Sequence, residues 1–289
     1  MSSQPFSALP FLPISTGLIE NLWMEDAGYG DLTTRSLGIQ DHPAHITFTA
    51  RDDQIASGVE EAAALLKQLG ASIDYAIPSG SRALSGTLLL EAKASAGQLH
   101  LGWKSAQSLM EWSAGIATMT HKMVTLAKKI SPMAVVGCTR KAPPLTRPLA
   151  VKAVLAGGGV MHRINLSETL LVFAEHLTFM NFDIGKAIGR LKQTAPERKI
   201  TVEVETIEQA LTVAQFSPDI LQLEKFTPQQ LHHLHERLEF FDHIPSLAAA
   251  GGINPENIAD YIEAGADIII TSAPYYAKPC DVQVKLEAA

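Results

Sequence analysis

Apolar and polar residues alternate over His45-Ile46-Thr47-Phe48-Thr49-Ala50-Arg51, the pattern of a strand with one buried face. Val59–Leu69 is rich in Ala, Leu and Glu and is followed by Gly70, which predicts a helix with a glycine stop. Thr87–Ala92 reads as a second strand, and the apolar period from Trp103 to about Ile130 predicts a long helix stopped by Ser131-Pro132. The pattern then changes. Six short apolar runs follow, at Ala134–Gly137, Leu170–Phe173, Ile200–Val204, Ile220–Leu223, Ser246–Ala250 and Ile268–Thr271. They recur roughly every 20–35 residues with helical or polar segments between, the spacing of successive βα units. Several are apolar throughout, as parallel strands covered on both faces are. The class is α/β, and six units favour a barrel or near-barrel over an open doubly wound sheet. The division between a first α/β domain and the barrel is expected near Ala114, inside the long helix, giving domains 1–113 and 114–274.

The 289 residues suffice for one barrel or two ordinary domains. A net charge of −7 and a pI near 5.8 argue against a general nucleic-acid surface, which needs a basic excess, but leave room for a local cationic pocket. Cys138 and Cys280 form no CxxC pair, which suits a reducing cytoplasm and offers no metal framework. Met1–Pro13 lacks Lys and Arg and is broken by Pro5, Pro10 and Pro13, unlike a signal peptide. No apolar run is long enough for a membrane span. The chain is therefore expected to be cytoplasmic.

In barrels the chemistry lies where strands end and loops begin. Cys138-Thr139-Arg140-Lys141 follows the first run, and Gly157-Gly158-Gly159-Val160-Met161-His162-Arg163 precedes the second. Glu203 and Glu205 lie in the third, Glu224-Lys225 ends the fourth, Gly251-Gly252 the fifth, and Ser272-Ala273 the sixth. Arg140, Lys141, His162 and Arg163 make two cationic pairs suited to carboxylate or phosphate. Glu203 and Glu224 are carboxylates at the ends of buried strands. They call for a cationic partner, either barrel Lys or Arg or a hard cation such as Mg²⁺. The late turns, Ala250-Gly251-Gly252 and Thr271-Ser272-Ala273, offer backbone N–H groups to a phosphate. The triple glycine is read as a sharp turn presenting His162 and Arg163, since no GxGxxG opens a helix there. Cys138 and Cys280 read as small core residues, and Glu25–Thr34 as a structured, acidic loop with a helix cap.

Glu25-Asp26…Gly30-Asp31-Leu32-Thr33-Thr34, Ser113–Thr118, Thr139-Arg140-Lys141, Gly157–Arg163, Glu203-Val204-Glu205 and Gly251-Gly252 occur in that order over nearly the whole chain. In them the sequence resembles the nicotinate-nucleotide pyrophosphorylase, or quinolinate phosphoribosyltransferase, family. Leu149–Gly159 and Leu166–Thr169 are more similar to its ModD-like branch, associated with molybdenum-transport genes. The resemblance implies an N-terminal α/β sandwich domain plus a C-terminal open, TIM-like α/β barrel, with residues 275–289 packing back on the first domain. It also implies a homodimer whose active sites lie against the partner's first domain. Its activity would be Mg²⁺-dependent transfer of phosphoribosyl from phosphoribosyl pyrophosphate to an aromatic nitrogen heterocycle. Lys141, Glu203 and Glu224 would be catalytic, with both glutamates near Mg²⁺. Thr139, Arg140, His162, Arg163 and His176 would meet the substrates. Ala250, Gly251, Gly252, Thr271, Ser272 and Ala273 would cradle the 5′-phosphate.

Two positions depart from the family's pattern. Trp112 stands where the family has an acceptor-binding Arg, and Phe173 where it has a Lys. A charge-assisted hydrogen bond contributes about 1.5–3 kcal/mol. Losing two weakens dicarboxylate binding about 10²–10⁴-fold, and the two aromatic side chains offer flat apolar surface to a less acidic acceptor instead. The alternative function is a catalytically retired binder of phosphate or of an oxyanion such as molybdate, which leaves the retained Glu203 and Glu224 unexplained. An unrelated barrel aldolase would need a Schiff-base lysine, and Lys141 has no evident carbonyl site.

Overall fold

The structure is a computed structural model that describes residues 13–289; the signal-peptide expectation for Met1–Pro13 falls, Pro13 aside, outside the described residues. Helix α1 (Thr16–Ala27) starts at Ser15, whose Oγ accepts the Leu18 N–H. Helix α2 (Leu32–Leu37) starts at Asp31, whose carboxylate accepts the Thr33 N–H and the Thr34 hydroxyl. The acidic Glu25–Thr34 segment is thus the turn between two helices rather than a loop alone. Strand β1 (Pro43–Ala50) buries every second residue, as its alternation predicts. After β2 (Gln54–Ile55) comes α3 (Val59–Gln68), and Gly70 follows at φ +97°, a conformation that suits glycine. Strands β3 (Ser72–Ala76), β4 (Arg82–Ala83) and β5 (Leu88–Ser95) lead into α4 (Ala96–Ile130), which begins a full two turns before the expected Trp103 and ends at Ser131-Pro132.

The barrel strands are β6 (Val135–Cys138), β7 (Val160–Met161), β8 (Leu170–Val172), β9 (Ile200–Val204), β10 (Ile220–Glu224), β11 (Ser246–Ala250) and β12 (Ile268–Thr271). Between them run α5 (Arg147–Ala156), α6 (Ala174–Thr178), α7 (Ile184–Thr194), α8 (Ile207–Ala214), α9 (Pro228–Leu238) and α10 (Ile258–Glu263). The last strand, β13 (Val282–Ala288), follows a short 3₁₀ turn at Ala273–Tyr276. All seven barrel strands are parallel, in the order β7-β6-β12-β11-β10-β9-β8, so the barrel is open, with β7 and β8 as its two edges. Strand β7 adds a seventh member where the sequence reading had only a glycine turn. Gly157 closes α5 and Gly158 turns the chain at φ +82° before β7 begins.

Two compact units result. One comprises the chain up to His121, Ala142–Gly158 and Pro274–Ala289; the other comprises Lys122–Lys141 and Gly159–Ala273. Contacts therefore assign Ala142–Gly158, with α5, to the first unit, because Leu149, Ala150 and Val151 are buried there and Lys152 pairs with Glu61 of α3. The first unit's sheet is antiparallel in the order β13-β1-β5-β3, with Ala44 opposite Ala288, so the tail strand completes it. In the second unit, one core of Val, Leu and Ile from β9–β12 packs with α8, α9 and α10. A smaller core of Ala248, Ala250 and Ile270, with Ile220 and Ile268, forms a separate cluster on the other face. Side chains alternate along a strand, so Gln222 and Glu224 share the Ile220 face.

Candidate active site

Most of the predicted site residues fall in the second unit, at the carboxyl ends of its strands. The β6 end is tied to β12: the Thr139 N–H donates to the Thr271 carbonyl (3.0 Å), and the Thr139 and Ser272 hydroxyls share a hydrogen bond of 2.6 Å. The Lys141 N–H donates back to Thr139 Oγ1 (3.2 Å). The His162 N–H donates to the Cys138 carbonyl (2.9 Å), which sets the β7 cations beside the β6 cations. Burial, then the charges of Arg163 and Arg140, pushes the His162 imidazole down to about 4, with Glu168 opposing weakly. His162 is therefore a neutral ring at physiological pH. The cations of this cluster are Arg140, Lys141 and Arg163. Arg163 is only 8% exposed, and burial and Arg140 both press its guanidinium below its ordinary value.

The opposite sign gathers on β9 and β10. Glu203 lies across from Gln222 in the register, and the Gln222 amide donates to Glu203 Oε2. Burial first, then the Glu224 carboxylate, raises the Glu203 carboxyl above the usual range; Glu175 and Glu205 add to the rise and Gln222 opposes it. The charges that shift Glu203 are carboxylates, whereas those that depress His162 are arginines. The rim is thus divided into a cationic half at β6–β7 and an anionic half at β9–β10. Among the described residues no group of three or more His, Cys, Asp or Glu forms a metal cage.

Between the halves lies the turn after β11. Gly251 has φ +96° and Gly252 φ +77°. A Cβ on Gly251 would sit 2.8 Å from Lys225 Cγ and 3.0 Å from its backbone nitrogen, so close packing and backbone conformation both require glycine. Two of the expected phosphate ligands are engaged inside the loop. The buried Thr271 hydroxyl donates to the Ile253 carbonyl (2.6 Å) and accepts the Ala273 N–H (3.0 Å). Thr271 and Ala273 thereby shape the loop that carries Ser272, whose own hydroxyl is engaged by Thr139.

Phe173 and His176 flank the start of α6. Their rings stack at 5.7 Å with planes 14° apart, and the Phe173 N–H donates to His176 Nδ1 (3.0 Å). The Arg163 guanidinium lies 5.7 Å from the Phe173 ring centre, joining the loop after β7 to the loop after β8 across the barrel's open seam. Trp112 is half-buried on α4 in the first unit. The residue that sequence reasoning missed is Gln222. A lone polar residue two places before Glu224 on an apolar strand was its available signal.

A rim that sets cations apart from carboxylates at the carboxyl ends of parallel strands suits a ligand whose charged groups are held separately. Residues 31–114 match the family model "Quinolinate phosphoribosyl transferase, N-terminal domain", and residues 116–285 the corresponding C-terminal domain. The chain belongs to the quinolinate phosphoribosyltransferase family. It is 43% identical over 278 residues to ModD of Pasteurella multocida, a pyrophosphorylase by name, covering 96% of this chain and 99% of the relative. It is 26% identical to the nicotinate-nucleotide pyrophosphorylase (carboxylating) of Rattus norvegicus, covering 96% and 92%. In fold it is similar to the nicotinate-nucleotide pyrophosphorylase from Francisella tularensis, with a TM-score of 0.85 at 21% identity, covering 95% of this chain and 98% of that one. No helix among the described residues is long and apolar enough to cross a membrane.

Proposed function

We propose that the chain transfers the 5-phosphoribosyl group of phosphoribosyl pyrophosphate to a ring nitrogen of an aromatic acceptor. The observation that carries this reading is the division of the rim by sign. The C1–oxygen bond to pyrophosphate breaks, the pyrophosphate leaves with that electron pair, and the acceptor's ring nitrogen supplies the pair for the new bond. Negative charge grows on the departing pyrophosphate, where Arg140 and Lys141 are fixed. Positive charge grows on the ribose, where Glu203 stands. Both interactions strengthen in the transition state. Thr139 holds the Lys141 backbone, neutral His162 offers a hydrogen bond, and the Ala250-Gly251-Gly252 turn with Ser272 receives the 5′-phosphate.

Glu203 and Glu224 fit Mg²⁺ of the kind that keeps substrate phosphate oxygens as ligands: they are two neighbouring carboxylates, the charge of Glu224 adding to the rise in the proton affinity of Glu203, and no group of three or more His, Cys, Asp or Glu forms a cage among the described residues. When bound, the ion supplies charge neutralisation for the leaving group. The acceptor side lacks the two cations that the family pattern puts there. Phe173 and Trp112, the latter from the first unit of a partner in a cytoplasmic homodimer, favour an acceptor less acidic than a pyridine dicarboxylate. An acceptor with a carboxylate beside its ring nitrogen would lose CO₂ after transfer.

The test is pyrophosphate release with Mg²⁺ and a panel of pyridine acids and neutral heterocycles. Release is expected with a monoacid or neutral acceptor and weakly with quinolinate, and Lys141→Ala and Glu203→Gln should each abolish it. Unimpaired turnover in both variants would sink the assignment. No release with any acceptor, alongside tight molybdate binding, would make the chain an oxyanion binder instead.

A further inference from the structure

Beside β8, the edge strand of the open seam, a cavity of about 620 Å³ lies against α6 and α7 in the second unit, within the range of small-molecule sites. Its walls are mostly apolar and include Leu170 of β8, Leu177 just after the Phe173–His176 stack, and Ala187 and Leu191 of α7. Two rim residues also line it, Arg163 and His176, and α7 adds the exposed Arg190 and Thr194. At its mouth Phe179 is 91% and Leu166 71% exposed, large apolar side chains left in water.

The polar end of this cavity is built for an anion. Arg163 is buried, yet among the described residues it forms no ion pair; its ring contact is with Phe173. Buried cations normally have a carboxylate or its equivalent beside them. His176 accepts a backbone N–H at Nδ1, which leaves Nε2 as the ring's donor. A guanidinium and an imidazole N–H at the head of an apolar cavity suit one carboxylate attached to an extended flat ring system.

We infer that the seam cavity binds the apolar arm of a fused-ring or ring-extended aromatic nitrogen heterocycle that carries a single acid group held by Arg163 and His176. The inference rests on the proposed transferase reading for that ligand's role as acceptor; the cavity's binding stands on its own geometry. A single pyridine ring would leave the cavity empty beside it.

The experiment is calorimetric binding to the full chain, without donor, of pyridine-2-carboxylate, quinoline-2-carboxylate and neutral quinoline. Burying the second ring should make quinoline-2-carboxylate bind about tenfold or more tighter than pyridine-2-carboxylate. Neutral quinoline should bind weaker than its acid. Filling the cavity with Leu191→Trp, or from its buried wall with Ala187→Leu, should remove the fused-ring advantage and leave pyridine-2-carboxylate unchanged. Equal affinities of the two acids for the unaltered chain overturn the inference without any variant. Pyrophosphate release with small acceptors but no fused-ring preference removes the cavity and keeps the transferase. A fused-ring preference with no release from any acceptor keeps the cavity as a binding site and removes the transferase.

Discussion

The charge of His162 is the sharpest quantity the rim offers. The ring sits between burial, which disfavours its charged form, and the guanidinium groups of Arg163 and Arg140; Glu168 alone pulls the other way. Its affinity for a proton falls from an ordinary value of 6.5 to about 4. An unfolded chain takes up this proton as the pH drops through 6.5, whereas the folded chain does so only near 4. The stability is therefore complete above pH 6.5 and is lost as the pH falls towards 4. At about 1.4 kcal/mol per unit, His162 alone removes about 2 kcal/mol by pH 5. Urea unfolding of the chain and of His162→Gln at pH 7.5 and 5 isolates this, because the variant lacks the titrating ring and should lose that much less on acidification. An NMR titration of the His162 ring should place its midpoint near 4. Arg140→Gln should move that midpoint only part of the way to 6.5, since burial is the larger cause. A midpoint near 6.5 in the unaltered chain, or equal acid losses in both proteins, would refute the picture of a desolvated ring among arginines.

Other outcomes follow from the same geometry. Glu61→Gln leaves the Lys152 ammonium buried without its carboxylate, and should cost about 3–5 kcal/mol in urea unfolding. Gly251→Ala forces a side chain into a left-handed backbone against Lys225, and should cost about 1–3 kcal/mol while weakening donor binding; an unchanged KM for phosphoribosyl pyrophosphate would remove that turn from the phosphate site. Phe173→Lys returns a cation to the acceptor side, and should lower the KM for quinolinate about tenfold or more. No gain with that variant would show that Phe173 does not set acceptor charge.

Much of the barrel was legible because its longer strands are buried on both faces and read as unbroken apolar runs. Strand β7 was not, since two residues carry no period. The first unit was harder. Strand β3 (Ser72–Ala76) is largely exposed and polar, and α1 has only Ile19 buried, so neither shows a clear apolar face. At the rim, Arg140, Lys141, His162, Arg163, Glu203 and Glu224 could be picked out because charge beside a core strand is conspicuous. What they do electrically could not. The neutrality of His162, the proton affinity of Glu203 and the tether from Gln222 depend on neighbours from other strands. The seam cavity was invisible for the same reason, being space that side chains from β8, α6 and α7 leave unfilled.

The pairing of Ala44 with Ala288 has a consequence for biosynthesis. Strand β1 emerges from the ribosome early, but one of its two hydrogen-bonding edges waits for β13, and α5 is also delivered late to the same unit. The barrel strands are all translated before β13. The later-made unit can therefore finish first, while the earlier-made one holds an open strand edge in the crowded cell. That interval is when a chaperone would have most to shield, and a sequence appended beyond β13 would prolong it.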